Sequence, residues 1–346
     1  MGAALIPAAL ANFTTMQVGG VPKSITKCLN STDLYEATKQ YWSSGEPFQI
    51  LGGGSNTVFA DEVSDLNVIL VANLGKEIVF EDEARVLVRV QAGESWDEFV
   101  AWAVERGYAG IEAMSGIPGS VGATPVQNVG GYGQEVSQVI TQIEFLDEST
   151  FEVEVKPASF FNFSYRDSAL KHDLNGVIGW VEFELQKLGG LSVPMASGQI
   201  TNHVGAPYGA QLPLSQVRDV VIELRSSKGM VVRPEDPDSV SCGSFFTNPV
   251  VSLSKSLEFP SDMQKWEMES GDFKLSAGWL IENAGIPKGY SIPGSKAAIS
   301  HKHALAITNR GGATAEEILQ LAILIQERVA ARWGINLIPE PNLIGF

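Results

Sequence analysis

Six glycines fall within the eighteen residues GIPGSVGATPVQNVGGYG at 116–133, and about sixty residues earlier the chain reads LGGGSN at 51–56. A glycine run exposes bare backbone N–H groups and lets them approach a ligand closely. GGGSN alone would serve equally well as a tight turn with nothing bound. Paired with NVGGYG at 128–133, it reads better as one of two loops lining an extended, phosphate-bearing ligand. That points to a dinucleotide rather than a small metabolite.

The 346 residues, 44% hydrophobic and 18% charged, allow two or three domains with substantial cores. The net charge of −16 argues against nucleic-acid or membrane-surface binding, which needs basic patches. It also requires the few basic residues to be concentrated wherever phosphate binds. Two cysteines, Cys28 and Cys242, fit a reducing cytoplasm rather than a disulfide scaffold. The apolar GAALIPAAL stretch has no Lys or Arg before it and is not read as a signal peptide. No apolar run approaches the ~18 residues of a membrane span.

Residues 32–45 read as a helix, 47–51 as a strand delivering the first glycine loop, and 68–71, 77–80 and 86–90 as further strands. Ser95 and Glu98 have capping-box spacing ahead of an apolar face of Trp96, Phe99, Val100 and Ala103, with Gly107 as a C-cap. A hairpin is expected over 139–155, a strand over 177–185, a long loop over 189–213, and a helical face at Val217, Val220, Val221 and Leu224. RPEDPDS at 233–239 reads as a linker. A helix is expected over 275–283, and a last one begins at the Thr314/Glu317 capping box with its apolar face at Ile318, Leu321, Ala322, Ile325 and Val329. The irregular alternation favours an α+β fold over a doubly wound sheet.

Known phosphate-binding spacings can be tested directly. A GxGxxG fingerprint starting at Gly52 needs glycine at 57, where Thr57 stands. No GK[ST], CxxC, HExxH or GxSxG occurs, and His172, His203, His301 and His303 are not spaced with carboxylates like a metal site.

LGGGSNTVFADE at 51–62, SGIPGSVGATPVQNVGGYGQEV at 115–136, YRDSALKHD at 165–173, CGSFFTNPVV at 242–251, SAGWLIENAG at 276–285 and IPEPNLIG at 338–345 follow in order. Together they closely resemble the UDP-N-acetylenolpyruvoylglucosamine reductase family, from Phe13 to the C-terminus. YRDS with the long 187–227 region resembles its type I branch. The resemblance implies a three-domain flavoenzyme of the vanillyl-alcohol oxidase superfamily. Its expected divisions are 1–74 with 335–346, then 75–226 (both holding FAD), then 227–334 for substrate. The implied reaction is NADPH-dependent reduction of UDP-N-acetylglucosamine enolpyruvate to UDP-N-acetylmuramate, in the cytoplasm, by a monomer serving cell-wall synthesis, cell shape and division. The rival reading is an FAD-dependent sugar or hydroxy-acid oxidase of the same superfamily.

Carried over by motif, FAD falls to Gly52, Gly53, Gly54, Ser55 and Asn56, with Gly119, Ser120, Asn128, Gly130, Gly131 and Tyr132 flanking the flavin. Backbone amides can neutralise a diphosphate without Lys or Arg, which suits an acidic protein. Residues 1–171 hold no histidine and Cys28 as their one cysteine, so non-covalent FAD is expected. The resemblance makes Ser244 the proton donor. It gives Arg166 the substrate carboxylate, which a guanidinium can hold bidentately, and makes Glu340 a partner in polarising the same group. Lone examples of Arg166 and Glu340 would be read as a surface ion pair and a solvated carboxylate, and Ser244 as a turn residue. Tyr165, Lys228, Asn248 and Lys288 are the expected substrate contacts, with Arg233 a rival to Lys228. The type I lid carries a Tyr-Gly pair, for which this chain has Ser197-Gly198, leaving Tyr208 as the substitute.

Overall fold

The strands expected at 47–51 and 68–71 form as Phe48–Leu51 and Asn67–Val71, and they pair in parallel. In the computed structural model, which describes residues 4–5, 8–268 and 270–346, the chain divides into two units. Pro22–Gly53 and Asp65–Ser226, with the N-terminal strand, make the first. Ala9–Val21, Gly54–Ser64 and Ser227–Phe346 make the second. The chain therefore changes unit inside the first glycine loop.

In the first unit, a small sheet runs in the order Ala4–Leu5, Ser24–Cys28, Asn67–Val71, Phe48–Leu51, the last three mutually parallel. Parallel strands need a crossover, and the helix Ser31–Ser44 supplies it. Asn30 Oδ1 caps its start by accepting from Asp33 N–H at 2.8 Å, and Gly45, with φ of 69°, closes its end. A larger antiparallel sheet runs Val153–Pro157, Ile140–Asp147, Gly176–Lys187, Arg85–Gln91, Lys76–Glu81. Alternation along Arg85–Gln91 sends Val86, Val88 and Val90 into the core. They pack with the helix Trp96–Glu105, whose Trp96, Phe99, Val100 and Ala103 are all fully buried. Ser95 Oγ caps that helix by accepting from Glu98 N–H.

The stretch expected to be a bare loop at 189–213 contains a helix, Gly198–Val204. It has little apolar periodicity to announce it. Buried Ile200 and Thr201, a Thr201 hydroxyl bonded to the Ser197 carbonyl, and Gly205 at φ of 69° hold it in place.

The second unit is built around the last helix, Ala315–Trp333. Its capping box forms in both directions between Thr314 and Glu317. Ile318, Leu321, Ala322, Ile325 and Val329 are buried against Leu280, Ile281, Ile299, Ile307, Phe245 and Phe246. Asn342–Ile344 pairs in parallel with Thr57–Phe59. Residues 233–239 lie within this unit, where Pro237–Ser239 is a helical turn with Asp238 and Ser239 buried. Asp238 Oδ1 accepts from His301 N–H and from Arg310, each at 2.8 Å, which draws an otherwise linker-like stretch into the fold. No helix of the described residues is long and apolar enough to cross a membrane.

Because the last helix buries only one face, Leu321→Ala should destabilise the protein by about 3 kcal/mol. Ile323→Ala, at a site 43% exposed on the same helix, should cost under about 0.5 kcal/mol. Urea denaturation followed by circular dichroism compares the two, and equal losses would contradict this packing.

Candidate active site

Gly53 explains how the two glycine loops approach each other in the first unit. A Cβ there would sit 2.6 Å from Gly119 Cα, and one at Gly52 would sit 2.4 Å from Ser120 Oγ. Only hydrogen at Gly53 lets the loops meet backbone to backbone there. The second loop is held by Trp96 N–H donating to Gly119 O at 3.0 Å, Val121 N–H to Glu94 O at 2.8 Å and Gly122 N–H to Ala92 O at 2.8 Å. Gly54 adopts φ of 59°, and a Cβ there would lie 1.9 Å from Phe13 O. Among the described residues, the main-chain N–H groups of Gly53, Gly54 and Ser55 donate to no protein atom. Three successive uncommitted donors on a glycine loop fit a diphosphate. The residues present therefore fit FAD.

The Asn128 side chain braces the second glycine loop. The residue is buried, with φ of 45°. Its Nδ2 donates to Glu135 at 2.8 Å and to Ser164 O at 2.9 Å, while its Oδ1 accepts from Ser137 N–H at 3.1 Å. Its side chain thus ties the second glycine loop to the turn carrying Arg166. Arg166 sits on that turn at φ of 55°, and its Nη2 donates to Gly130 O at 2.6 Å. Its guanidinium lies 5.4 Å from the Tyr165 ring centre. Tyr132, at φ of 52°, is half-buried against Met195 and its neighbours, and burial pushes its phenol up. Gly131 pairs with Gln134 in the short hairpin that follows. Ser197 is buried at the start of the short helix, and Tyr208 is 73% exposed.

The second unit assembles the other group. Gly243, at φ of 71°, turns the chain into Ser244. The next residue is committed through both of its main-chain groups: Phe245 N–H donates to Leu305 O at 2.8 Å, and Phe245 O accepts from Glu340 N–H at 2.9 Å. Thr247 N–H to Ile338 O at 3.0 Å extends the seam. Phe245 and Phe246, both buried and edge to face at 5.3 Å, anchor it in the core. Asn56, at the end of the first glycine loop, donates from Nδ2 to Glu340 O at 3.2 Å and accepts from Asn342 N–H at 2.9 Å. Ser244 Oγ stands 3.4 Å from His303 Nε2. Burial, then the Lys228 and Lys288 charges, pull the His303 imidazole down to about 4. Asn248 Oδ1 accepts from Ala277 N–H at 3.0 Å. Burial pushes the Cys242 thiol up to about 12, leaving it a packing group beside Ser244.

Arg166 thus belongs to the first unit, and Ser244, Glu340, Asn56, Asn248, Lys228 and Lys288 to the second. Two residues escape the sequence reading. His303 was visible only as one member of HKHALAI, with no metal-type spacing. Arg225, three residues before Lys228 in RSSK, is half-buried, with its Nε shielded from solvent. Burial draws its guanidinium down to about 10, Tyr132 and Asp97 oppose that shift, and Arg166 adds to it. Nearby, Arg218 grips Asp97 with two bonds of 2.6 and 2.9 Å.

Two family models match the chain: an FAD binding domain over 22–153, and the C-terminal domain of UDP-N-acetylenolpyruvoylglucosamine reductase over 235–344. A protein named UDP-N-acetylenolpyruvoylglucosamine reductase in Leifsonia xyli subsp. xyli is 44% identical, covering 98% of this chain and 99% of its own. One of the same name in Thermobifida fusca is 42% identical, covering 97% and 96%. A solved UDP-N-acetylenolpyruvylglucosamine reductase from Thermus caldophilus shares the fold, with a TM-score of 0.67 at 24% identity over 99% of both chains.

Gly53→Val should force the loops apart and strip flavin from the purified protein, read as lost absorbance near the flavin band after gel filtration. Full flavin content would contradict the close-approach argument. His303 should titrate by NMR near pH 4, against 6.5 for a free imidazole. The unfolded chain then binds a proton that the folded ring refuses, so this group makes stability fall as pH drops from about 6.5 to about 4 and contributes nothing above that window. A midpoint near 6.5 would contradict the site's electrostatics.

Proposed function

The chain belongs to the UDP-N-acetylenolpyruvoylglucosamine reductase family, a family of oxidoreductases, and from that premise we propose that it reduces UDP-N-acetylglucosamine enolpyruvate to UDP-N-acetylmuramate with NADPH. The reaction belongs to peptidoglycan precursor synthesis in the cytoplasm, and so to cell shape and division. The observation that carries the proposal is the seam through Phe245, which brings the Ser244 hydroxyl, His303 and the Glu340 main chain together within the second unit.

FAD, when bound, supplies hydride transfer between the nicotinamide and the enolpyruvyl group. In this reading it is held by the backbone of Gly52, Gly53, Gly54, Ser55 and Asn56, and by the loop containing Gly119, Ser120, Asn128, Gly130, Gly131 and Tyr132. It is bound non-covalently: Cys28 is buried in the core, and burial pushes its thiol up to about 11.

The chain's own residues manage a proton and a charge. The carbon next to the substrate carboxylate must gain a proton as the double bond is reduced. Ser244 gives it, because a serine hydroxyl keeps its proton at any working pH and a carbanion is basic enough to take it. Arg166 offers a planar fork to the carboxylate, over which the developing charge spreads. Glu340 polarises the same group. Lys228 and Lys288 attract the diphosphate, with Arg233 the rival to Lys228, and Asn248 and Tyr165 complete the substrate contacts. The reading retains a monomer and the division into 1–74 with 335–346, 75–226 and 227–334.

Ser244→Ala should leave NADPH-driven flavin bleaching at the wild-type rate under anaerobic stopped flow, and slow substrate-driven recovery of flavin colour by about 10²–10⁴-fold. Unchanged recovery would remove Ser244 from the chemistry. Arg166→Lys keeps the charge but loses the fork, so kcat/KM for the enolpyruvyl substrate should fall about tenfold or more. Bleaching by NADPH should not change.

A further inference from the structure

Ser244 cannot serve as a proton donor unless its hydroxyl hydrogen is aimed at the substrate. A serine hydroxyl rotates freely and turns toward whatever acceptor is nearest. A side-chain partner is at hand in His303, with Nε2 3.4 Å from Oγ. The main chain holds the two in register, because Phe245 N–H donates to Leu305 O at 2.8 Å. The turn bearing His303 is itself fixed. The buried Ser300 hydroxyl accepts from Lys302 N–H at 3.0 Å and His303 N–H at 3.2 Å, and Ala306 N–H donates to His303 O at 3.1 Å.

The polarity of this contact decides what it can do. If Nε2 carried the lone pair, Ser244 would spend its hydrogen on the ring and turn it away from any substrate. If Nε2 carries the hydrogen, Oγ accepts, and its own hydrogen is left pointing elsewhere. We propose that His303 is a positioning residue for the reaction. Its neutral ring donates Nε2–H to Ser244 Oγ, orienting the serine hydrogen toward the substrate carbon and then solvating the alkoxide that remains. The inference rests on Ser244 being the proton donor.

In the step itself, a C–H bond forms at the carbon next to the carboxylate and the Ser244 O–H bond breaks. The electron pair stays on Oγ, which accepts a stronger bond from Nε2–H because the acceptor is now charged. A water molecule afterwards returns the proton to Oγ, leaving hydroxide to solvent. The ring keeps its proton throughout. Burial and the Lys228 and Lys288 ammonium groups oppose a second proton on the imidazole, so it remains a donor at one nitrogen without becoming a competing acid. The separation of 3.4 Å is long, and contacts of this kind tighten when substrate arrives.

The experiment compares His303→Leu, His303→Gln, Ser244→Ala and the Ser244→Ala/His303→Leu double variant in anaerobic stopped flow, with long-range ¹H–¹⁵N NMR of the wild-type ring. Flavin content and the NADPH half-reaction report folding. His303→Leu should slow the enolpyruvyl half-reaction about 10- to 100-fold, the range for a hydrogen bond to a charged group. His303→Gln, which keeps an N–H donor, should recover most of the rate. The double variant should be no slower than Ser244→Ala, and NMR should show the hydrogen on Nε2. Wild-type rate in His303→Leu with a slow Ser244→Ala overturns the role of His303 alone, as does a hydrogen on Nδ1, a His303→Gln as slow as His303→Leu, or a double variant whose losses multiply. Wild-type rate in Ser244→Ala instead overturns the donor assignment beneath it.

Discussion

The main chain of Phe245 ties the candidate site of the second unit together. Its N–H reaches the turn bearing His303, and its carbonyl receives the N–H of Glu340. Three segments that lie far apart in sequence therefore meet at a spacing set by backbone geometry rather than by flexible side chains. The Phe245 ring is fully buried, so sliding the seam would drag an aromatic out of the core. Pro339 and Pro341 flank Glu340 and donate no hydrogen bonds of their own, leaving the Glu340 N–H as the donor of that triplet.

A second constraint is how an acidic chain handles an anionic cofactor. With a net charge of −16 it has few cations to set against a diphosphate. It presents neutral N–H groups at Gly53, Gly54 and Ser55, and the bare Cα of Gly53 lets the two glycine loops meet. The side-chain cations are used differently. Arg166 is fixed to a carbonyl of the second loop, the half-buried Arg225 interacts electrostatically with Tyr132 and Asp97, and Lys228 and Lys288 set the charge around His303.

The sequence was most legible where a local rule acts alone. The Thr314/Glu317 box, the apolar face of the last helix and the hairpin at 139–155 need no distant partner, and each forms as read, while of the Ser95/Glu98 box the Ser95 cap forms. It was least legible where a long-range contact decides. The helix Gly198–Val204 depends on burial of Ile200 and Thr201, and 233–239 looks like a linker until Arg310 and His301 claim Asp238. The glycine loops pointed to a ligand, but that the Asn128 side chain also braces the Arg166 turn depends on a contact thirty-six residues away. His303 had no signature at all, since its importance comes from lying 3.4 Å from a serine fifty-nine residues away.

The central claim is that Ser244 Oγ lies between the imidazole and the carbon that gains the proton. A crystal structure of the protein with FAD and the enolpyruvyl substrate bound tests it most directly. The account predicts Ser244 Oγ about 3–3.5 Å from the carbon next to the carboxylate, with His303 Nε2 on its opposite side at hydrogen-bond distance. An Oγ turned away from that carbon, or a substrate carbon facing another donor, would contradict it.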